Sequence, residues 1–290
     1  MTNSPLGKLT ALMEMIKFSH TVFAFPFALM GVVLASLASG TSPTFGQVVW
    51  ICVAMIGART GAMGLNRIID ARLDADNPRT ADRHLPAGKV SLSEAWLLVL
   101  GAFALLLLAA AMLNPLCLKL APVAIFFLVL YSYCKRFSAM AHLVLGLCLA
   151  AAPIGAWIAL RGDIGWPVVV LGMAVLLWVA GFDIFYALQD YEFDREKGLY
   201  SIPARFGVER SFLIARLFHV AMVILLFSLF FSVGLGYLYL FGVLVVTGLL
   251  IYEHLLVRPN DLSRLDAAFF NMNGYISVTI FCFTLADALL

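Results

Sequence analysis

Nine stretches of roughly twenty apolar residues follow one another along these 290 residues, at about 21–38, 47–66, 94–113, 115–133, 139–160, 165–188, 210–232, 235–256 and 267–289. A helix needs about 20 apolar residues to cross the hydrocarbon of a bilayer. Inside that hydrocarbon the backbone finds no water, so a spanning helix has to satisfy its own N–H and C=O groups. Composition points the same way: 63% of residues are hydrophobic, 12% are charged and the mean hydropathy is +0.98, which excludes an ordinary soluble domain. The pattern predicts an all-α integral membrane protein with nine transmembrane helices. Asp183 and Asp287 interrupt the sixth and ninth stretches, and only Asn114-Pro115 separates the third from the fourth, which predicts a tight helical hairpin. No linker rich in Pro, Gly or Ser divides the chain, so residues 1–290 read as a single domain.

Basic residues set the orientation, because lysine and arginine concentrate on the cytoplasmic side. With the N-terminus inside, sixteen of the nineteen fall on that side, from Lys8 and Lys17 to Arg258 and Arg264. Only Lys119 and Arg161 fall outside, and Arg59 lies within the second span. Nine crossings then put the C-terminus outside. Trp50, Trp157 and Trp166 fall near the outer interface and Trp96 near the inner one, as in an aromatic belt. Leu9, Leu12, Met13 and Ile16 recur at helical spacing among Lys8, Glu14 and Lys17. Residues 8–18 therefore read as an amphipathic helix on the inner surface, against membrane lipid. A cleaved signal peptide ending near Ala35-Ser36-Leu37-Ala38 is the rival reading, and the long polar start with Glu14 speaks against it. The five cysteines and five histidines are dispersed without metal or redox spacing. Nothing points to a nucleic acid partner.

Two acidic ladders carry the chemistry. Asn66, Asp70 and Asp74 recur every four residues, and Asp183, Tyr186, Asp190 and Asp194 every three or four. On a helix each set points one way. Adding 120 to the first set gives Tyr186, Asp190 and Asp194, a weak internal repeat. Each ladder runs into a polar loop on the inner side, 67–93 and 190–209. Carboxylates at the edge of hydrocarbon face a water-filled cavity, a partner or an ion. Two pairs at one depth can face each other across a central cavity that opens to the cytoplasm. Mg²⁺ is held by a few carboxylates together with phosphate oxygens, and with Arg and Lys donors it neutralises a departing diphosphate. Arg67, Arg72, Arg79, Arg83, Arg195 and Lys197 stand at that level. Arg59 lies seven residues before Asn66, on the same face but deeper, where a guanidinium suits a substrate carboxylate. An inter-helix pair is the alternative for Arg59 and Asp183, and topology alone accounts for basic loops.

These motifs resemble the UbiA superfamily of intramembrane prenyltransferases over nearly the whole chain. The first acidic motif stands at Asn66, Asp70 and Asp74, and the second at Asp183, Tyr186, Asp190 and Asp194. A YxxxK pair stands at Tyr131 and Lys135, and an Arg-Thr…Arg-x-Leu-Pro-x-Gly loop at Arg79-Thr80 and Arg83–Gly88. The resemblance implies that Asp70, Asp74, Asp190 and Asp194 hold Mg²⁺ on a polyprenyl diphosphate, with Asn66 beside them. It implies Lys135, Arg72 and Arg83 on the diphosphate, Tyr131 near the acceptor, and Arg59 in an aromatic-acceptor pocket. Lys17 matches a basic residue of the first helix, and Asp183 and Tyr186 complete the substrate-binding set. A bacterial inner membrane is the implied location.

The segment Asp183–Asp190 looks most like the 4-hydroxybenzoate branch. The start, Lys17–Ala24, resembles a group assigned either to 4-hydroxybenzoate or to a hydroxynaphthoate precursor of menaquinone. The expected activity is transfer of a polyprenyl group to a hydroxylated aromatic acid, foremost 4-hydroxybenzoate, in respiratory quinone biosynthesis. The alternatives are a dihydroxynaphthoate acceptor, another branch making haem-type or lipid-ether products, and, in a different class, a transporter. Transporter sites usually lie at the midplane, whereas these carboxylates cluster at one face.

Overall fold

All regular structure among the described residues is helical, in the computed structural model that describes residues 5–17, 25–257, 265 and 271–290. The helices are α1 (Pro5–Met15), α2 (Phe25–Ser39), α3 (Phe45–Asp76), α4 (Leu92–Leu113), α5 (Pro115–Cys134), α6 (Ala141–Arg161) and α7 (Trp166–Ala187). They continue as α8 (Tyr191–Glu196), α9 (Ile202–Phe206), α10 (Val208–Leu229), α11 (Tyr237–Leu256) and α12 (Asn273–Leu289). Seven are long and apolar enough to cross a membrane: α3, α4, α5, α6, α7 continued through α8, α10 and α11. Over the described residues α2 and α12 are apolar but only 15 and 17 residues long. These seven match the second to the eighth of the nine expected spans. The first and ninth expected spans begin at 21–24 and 267–270, which lie outside the described residues, as do Phe18, Arg258 and Arg264.

The chain forms two compact units. The first takes the described parts of Met1–Thr21 and Val48–Tyr133. Within it α3, 32 residues in all, extends about 48 Å at 1.5 Å per residue, against about 30 Å of hydrocarbon. Helix therefore replaces loop as far as Asp76, through the strong helix formers Ala71, Arg72, Leu73 and Ala75. Gly57, Gly61 and Gly64 form a small-residue stripe on α3 that lets Ala102, Phe103, Leu106 and Val99 of α4 come close. Residues 8–17, expected against lipid, pack against their own unit. Ala11, Met15 and Ile16 are buried with Val90 and Ala95, while Leu9 is 58% exposed. Lys8 Nζ meets Glu94 Oε1 at 2.7 Å, and Glu94 also closes a capping box with Ser91 at the start of α4. The link between α4 and α5 is the single residue Asn114. Its N–H donates to the Ala110 carbonyl, and its Oδ1 accepts from the N–H groups of Leu116 and Cys117.

The second unit takes the described parts of Val22–Gln47 and Cys134–Leu290. Its helices α2, α6, α7, α10, α11 and α12 are successive neighbours, and α12 returns to α2 to close a ring. They share one core that includes Phe27, Trp178, Leu226, Val243 and Ile280. Gly31 lets α2 pass over the Pro153 backbone of α6. Asp287, the interruption in the ninth stretch, caps α11 by accepting from the Gly236 and Tyr239 N–H groups. Trp157 departs from the aromatic-belt expectation. It is 1% exposed, and its indole N–H donates to Asp163 at 3.0 Å. Arg161 and Trp157 donate to the same carboxylate and hold the Asp163 acid below its usual range. Trp166 is the exposed tryptophan at this end.

Gly57→Ala tests the close approach of α3 and α4. Its methyl would stand 2.7 Å from the Ala102 carbonyl oxygen and 2.9 Å from the Leu106 nitrogen, both backbone atoms. We expect a loss of about 1–3 kcal/mol, read as a lowered thermal midpoint of the detergent-purified protein. Gly101→Ala meets nothing within 4 Å and is expected to leave the midpoint unchanged or raise it.

Candidate active site

One continuous helix, α3, carries the first ladder. Asp70 and Asp74 are buried, 2% and 5% exposed, and Asn66 Nδ2 donates to Asp70 Oδ2 at 3.1 Å. The loop after α3 folds back onto its end. Thr80 Oγ1 donates to the Asp74 carbonyl at 3.0 Å, and Asn77 Oδ1 accepts the Arg79 N–H at 3.0 Å. These turns bring Arg83 Nη1 between both carboxylate oxygens of Asp74, at 2.7 and 2.9 Å. Arg83 was expected on a diphosphate; here it grips the ladder itself, in a charge-assisted bond. Arg72 is exposed on the same helix.

Two deeper arginines of α3 hold the end of α1, whose last carbonyls lack helical partners. Arg67 Nε donates to the Met15 carbonyl at 3.3 Å, and Arg59 Nη2 to the Lys17 carbonyl at 3.3 Å. Lys17 itself is left-handed, with φ 47°. Tyr131 is half-buried near the end of α5.

The second ladder departs from the single helix face that its spacing suggested. α7 ends at Ala187, a 3₁₀ turn covers Leu188–Asp190, and α8 begins at Tyr191. A 3₁₀ turn advances about 120° per residue instead of 100°, so Tyr186 and Asp190 do not keep α-helical register. Asp183 of α7 is paired across to α6, with His142 Nδ1 at 2.7 Å from its Oδ2. Tyr186, Asp190 and Asp194 are half-buried. The Ser201 side chain hydrogen-bonds Asp194, and Asp190 and Lys135 act on it electrostatically. Lys135 also offers its carbonyl to the Tyr200 N–H at 2.7 Å. Asp194, Arg195, Tyr200 and Arg205 are among the residues lining an open pocket of about 360 Å³.

Among the described residues neither unit brings three or more His, Cys, Asp or Glu together as a metal-ligating group. Two contributors escaped the sequence reading, His142 and Ser201. His142 is the only imidazole or charged side chain in the stretch 139–160, and that was the available signal. Ser201 is the N-cap of α9, with Pro in the first turn, a start signal visible in Ser-Ile-Pro. The histidines are also less dispersed than their numbering suggests: His219 Nδ1 and His254 Nε2 lie 3.0 Å apart.

A model of the UbiA prenyltransferase family matches residues 24–275. The chain belongs to this family. The 4-hydroxybenzoate octaprenyltransferase of Vibrio campbellii is 30% identical over 248 residues, 84% of this chain and 85% of that one. That of Vibrio cholerae is 32% identical over 245 residues, with the same coverage. Among solved structures, the apo UbiA homologue from Aeropyrum pernix K1 is 32% identical, with a TM-score of 0.84 over 94% of this chain and 98% of its own. A UbiA homologue from Archaeoglobus fulgidus bound to GPP and Mg²⁺ shares the fold at 20% identity, with a TM-score of 0.72 over 97% and 100%.

In this UbiA prenyltransferase the Asp74–Arg83 pair makes a direct prediction. Arg83→Ala leaves a buried carboxylate without its donor, at an expected cost of about 1–3 kcal/mol. Unfolding of the purified protein in metal-free buffer measures it. Wild-type stability in that variant would show that water replaces the guanidinium.

Proposed function

We propose that this enzyme transfers a polyprenyl group from polyprenyl diphosphate to a ring carbon of 4-hydroxybenzoate, in respiratory quinone biosynthesis. The observation that carries this reading is the construction of the two acidic ladders, each closed by its own polar loop: Arg83 on Asp74, and Ser201 and Lys135 about Asp194. The names of the relatives, at 30% and 32% identity, support the choice of acceptor. The proposed setting is a bacterial inner membrane, with nine spans around a cavity that opens to the cytoplasm. The N-terminus and both ladders face that side and the C-terminus lies outside.

The donor set fits Mg²⁺. Asp70 and Asp74 stand one turn apart on α3, Asp190 immediately precedes α8 and Asp194 lies in its first turn, and all four offer hard carboxylate oxygens. Such pairs suit an ion whose coordination is completed by phosphate oxygens and water instead of a full protein cage. These four residues would hold Mg²⁺, which when bound supplies charge neutralisation for the departing diphosphate. Asn66 keeps Asp70 oriented. Arg83 can exchange Asp74 for a phosphate oxygen, and Arg72 and Lys135 add donors for the same group. Arg59 pairs two-pronged with the acceptor carboxylate, beside Lys17, while Tyr131, Tyr186 and Asp183 complete the substrate-binding set. The prenyl C–O bond breaks to an allylic cation and diphosphate. The ring carbon next to the phenol oxygen forms the new C–C bond, and the ring loses its proton.

Purified membranes supplied with polyprenyl diphosphate, Mg²⁺ and equal amounts of 4-hydroxybenzoate and a dihydroxynaphthoate test this by mass spectrometry. The expected product is prenylated hydroxybenzoate. A naphthoate product would reassign the acceptor, and no product from either would overturn the reading. Asp70→Asn and Asp190→Asn are each expected to lower turnover at least about 10²-fold with the thermal midpoint retained. Near-normal rates at limiting Mg²⁺ would remove them from the site.

The orientation has its own check. Ser93 and Glu196 are exposed, so cysteines placed there, in a background without native cysteine, report on sidedness. They should resist impermeant thiol reagents in intact cells and react in inverted vesicles.

A further inference from the structure

The second ladder is held by a histidine that lies outside every acidic motif. His142, near the start of α6, is 3% exposed. The Ile202 N–H donates to its Nε2 at 3.2 Å, so that nitrogen carries no proton. The ring proton sits on Nδ1, which donates to Asp183 Oδ2 at 2.7 Å. Both ring nitrogens are thereby committed between α7 and the start of α9. Two residues earlier, the Tyr200 N–H donates to the Lys135 carbonyl at 2.7 Å. Ser201 between them is extended, with φ −131° and ψ 163°, and in extended chain alternate residues face the same way. Tyr200 and Ile202 therefore fasten the segment to the α5–α6 turn. The Ser201 hydroxyl accepts the Ala204 N–H at 3.2 Å and bonds the Asp194 carboxylate. A continuous connection runs from Asp183 through His142, Ile202 and Ser201 to Asp194.

We propose that His142 is the positioning residue of the second acidic ladder. Through the Ile202 amide and the Ser201 hydroxyl it sets the direction of the Asp194 carboxylate, and with it the affinity for the metal-bound diphosphate end of the donor substrate. This rests on the assignment of Asp194 to donor binding above. The role needs one hydrogen-bond donor and one acceptor in a planar, uncharged group. A glutamine amide supplies both and leucine supplies neither.

The test uses full-length purified protein with His142→Gln, His142→Leu and Ser201→Ala. Lys197 and Arg205 are exposed, so trypsin cleavage after them, in metal-free buffer, reports how firmly the segment is held. His142→Leu should be cut about three- to tenfold faster, as expected for losing a buried hydrogen bond in a segment that opens before cleavage. It should also need about 10- to 100-fold more Mg²⁺ for half-maximal rate, with the acceptor KM unchanged. His142→Gln should restore both readouts to near wild type. Ser201→Ala, which keeps the Ile202 bond, should leave the segment protected yet raise the Mg²⁺ requirement, and it carries the test if His142→Leu does not fold. An unchanged Mg²⁺ requirement in His142→Leu and Ser201→Ala overturns the proposal. So does a His142→Gln as impaired as His142→Leu at equal thermal midpoint, because one donor and one acceptor would then not suffice for the role. Asp194→Asn separates the two claims: wild-type Mg²⁺ dependence there means the donor-site assignment has failed. A silent His142→Leu beside an impaired Asp194→Asn overturns the role of His142 alone.

Discussion

A carboxylate at the edge of hydrocarbon is costly to keep charged unless something answers its charge, and that requirement organises much of this molecule. Asp74 is answered by Arg83 from the following loop, Asp183 by His142 from a neighbouring helix and Asp194 by Ser201. Asp287 is answered by the backbone N–H groups that begin α11. In each case the partner comes from a different stretch of chain, so satisfying the charge also fixes how that stretch folds. The loop 77–90 is ordered by the α3 end it covers, and the segment 199–202 by the α5–α6 turn on which it hangs.

Helix contact in such a setting gains little from the hydrophobic effect, since lipid is as apolar as leucine, and close backbone approach matters more. The glycine stripe of α3 against α4 in one unit, and Gly31 over the Pro153 backbone in the other, serve that approach. The same packing supports chemistry. The first ladder stands on the helix that carries the stripe, and Asp183 stands on α7, which contributes many of the core residues of its unit.

The two ladders are built differently. The first continues one helix for about two turns, with Asp70 braced by Asn66. The second is broken by a 3₁₀ turn and finished by short helices, so its geometry depends on outside bonds. Helical continuity orients the first pair of carboxylates, whereas hydrogen bonds from other segments orient the second.

The sequence by itself determined the class of molecule, because runs of apolar residues long enough to cross a bilayer leave the backbone no stable form but helix. It also located the acidic ladders and basic loops, since a carboxylate in an apolar run is conspicuous whatever surrounds it. Element ends were less legible. Whether residues 67–76 form loop or helix, and whether 187–191 stay in α-helical register, depends on small local preferences that neighbouring chain overrides. Partner choice was not legible at all. Nothing in the numbering joins Asp183 to His142, 41 residues away, or turns Trp157 inward to Asp163 while Trp166 faces out. Those pairings come from which helices pack side by side, and only tertiary structure decides that.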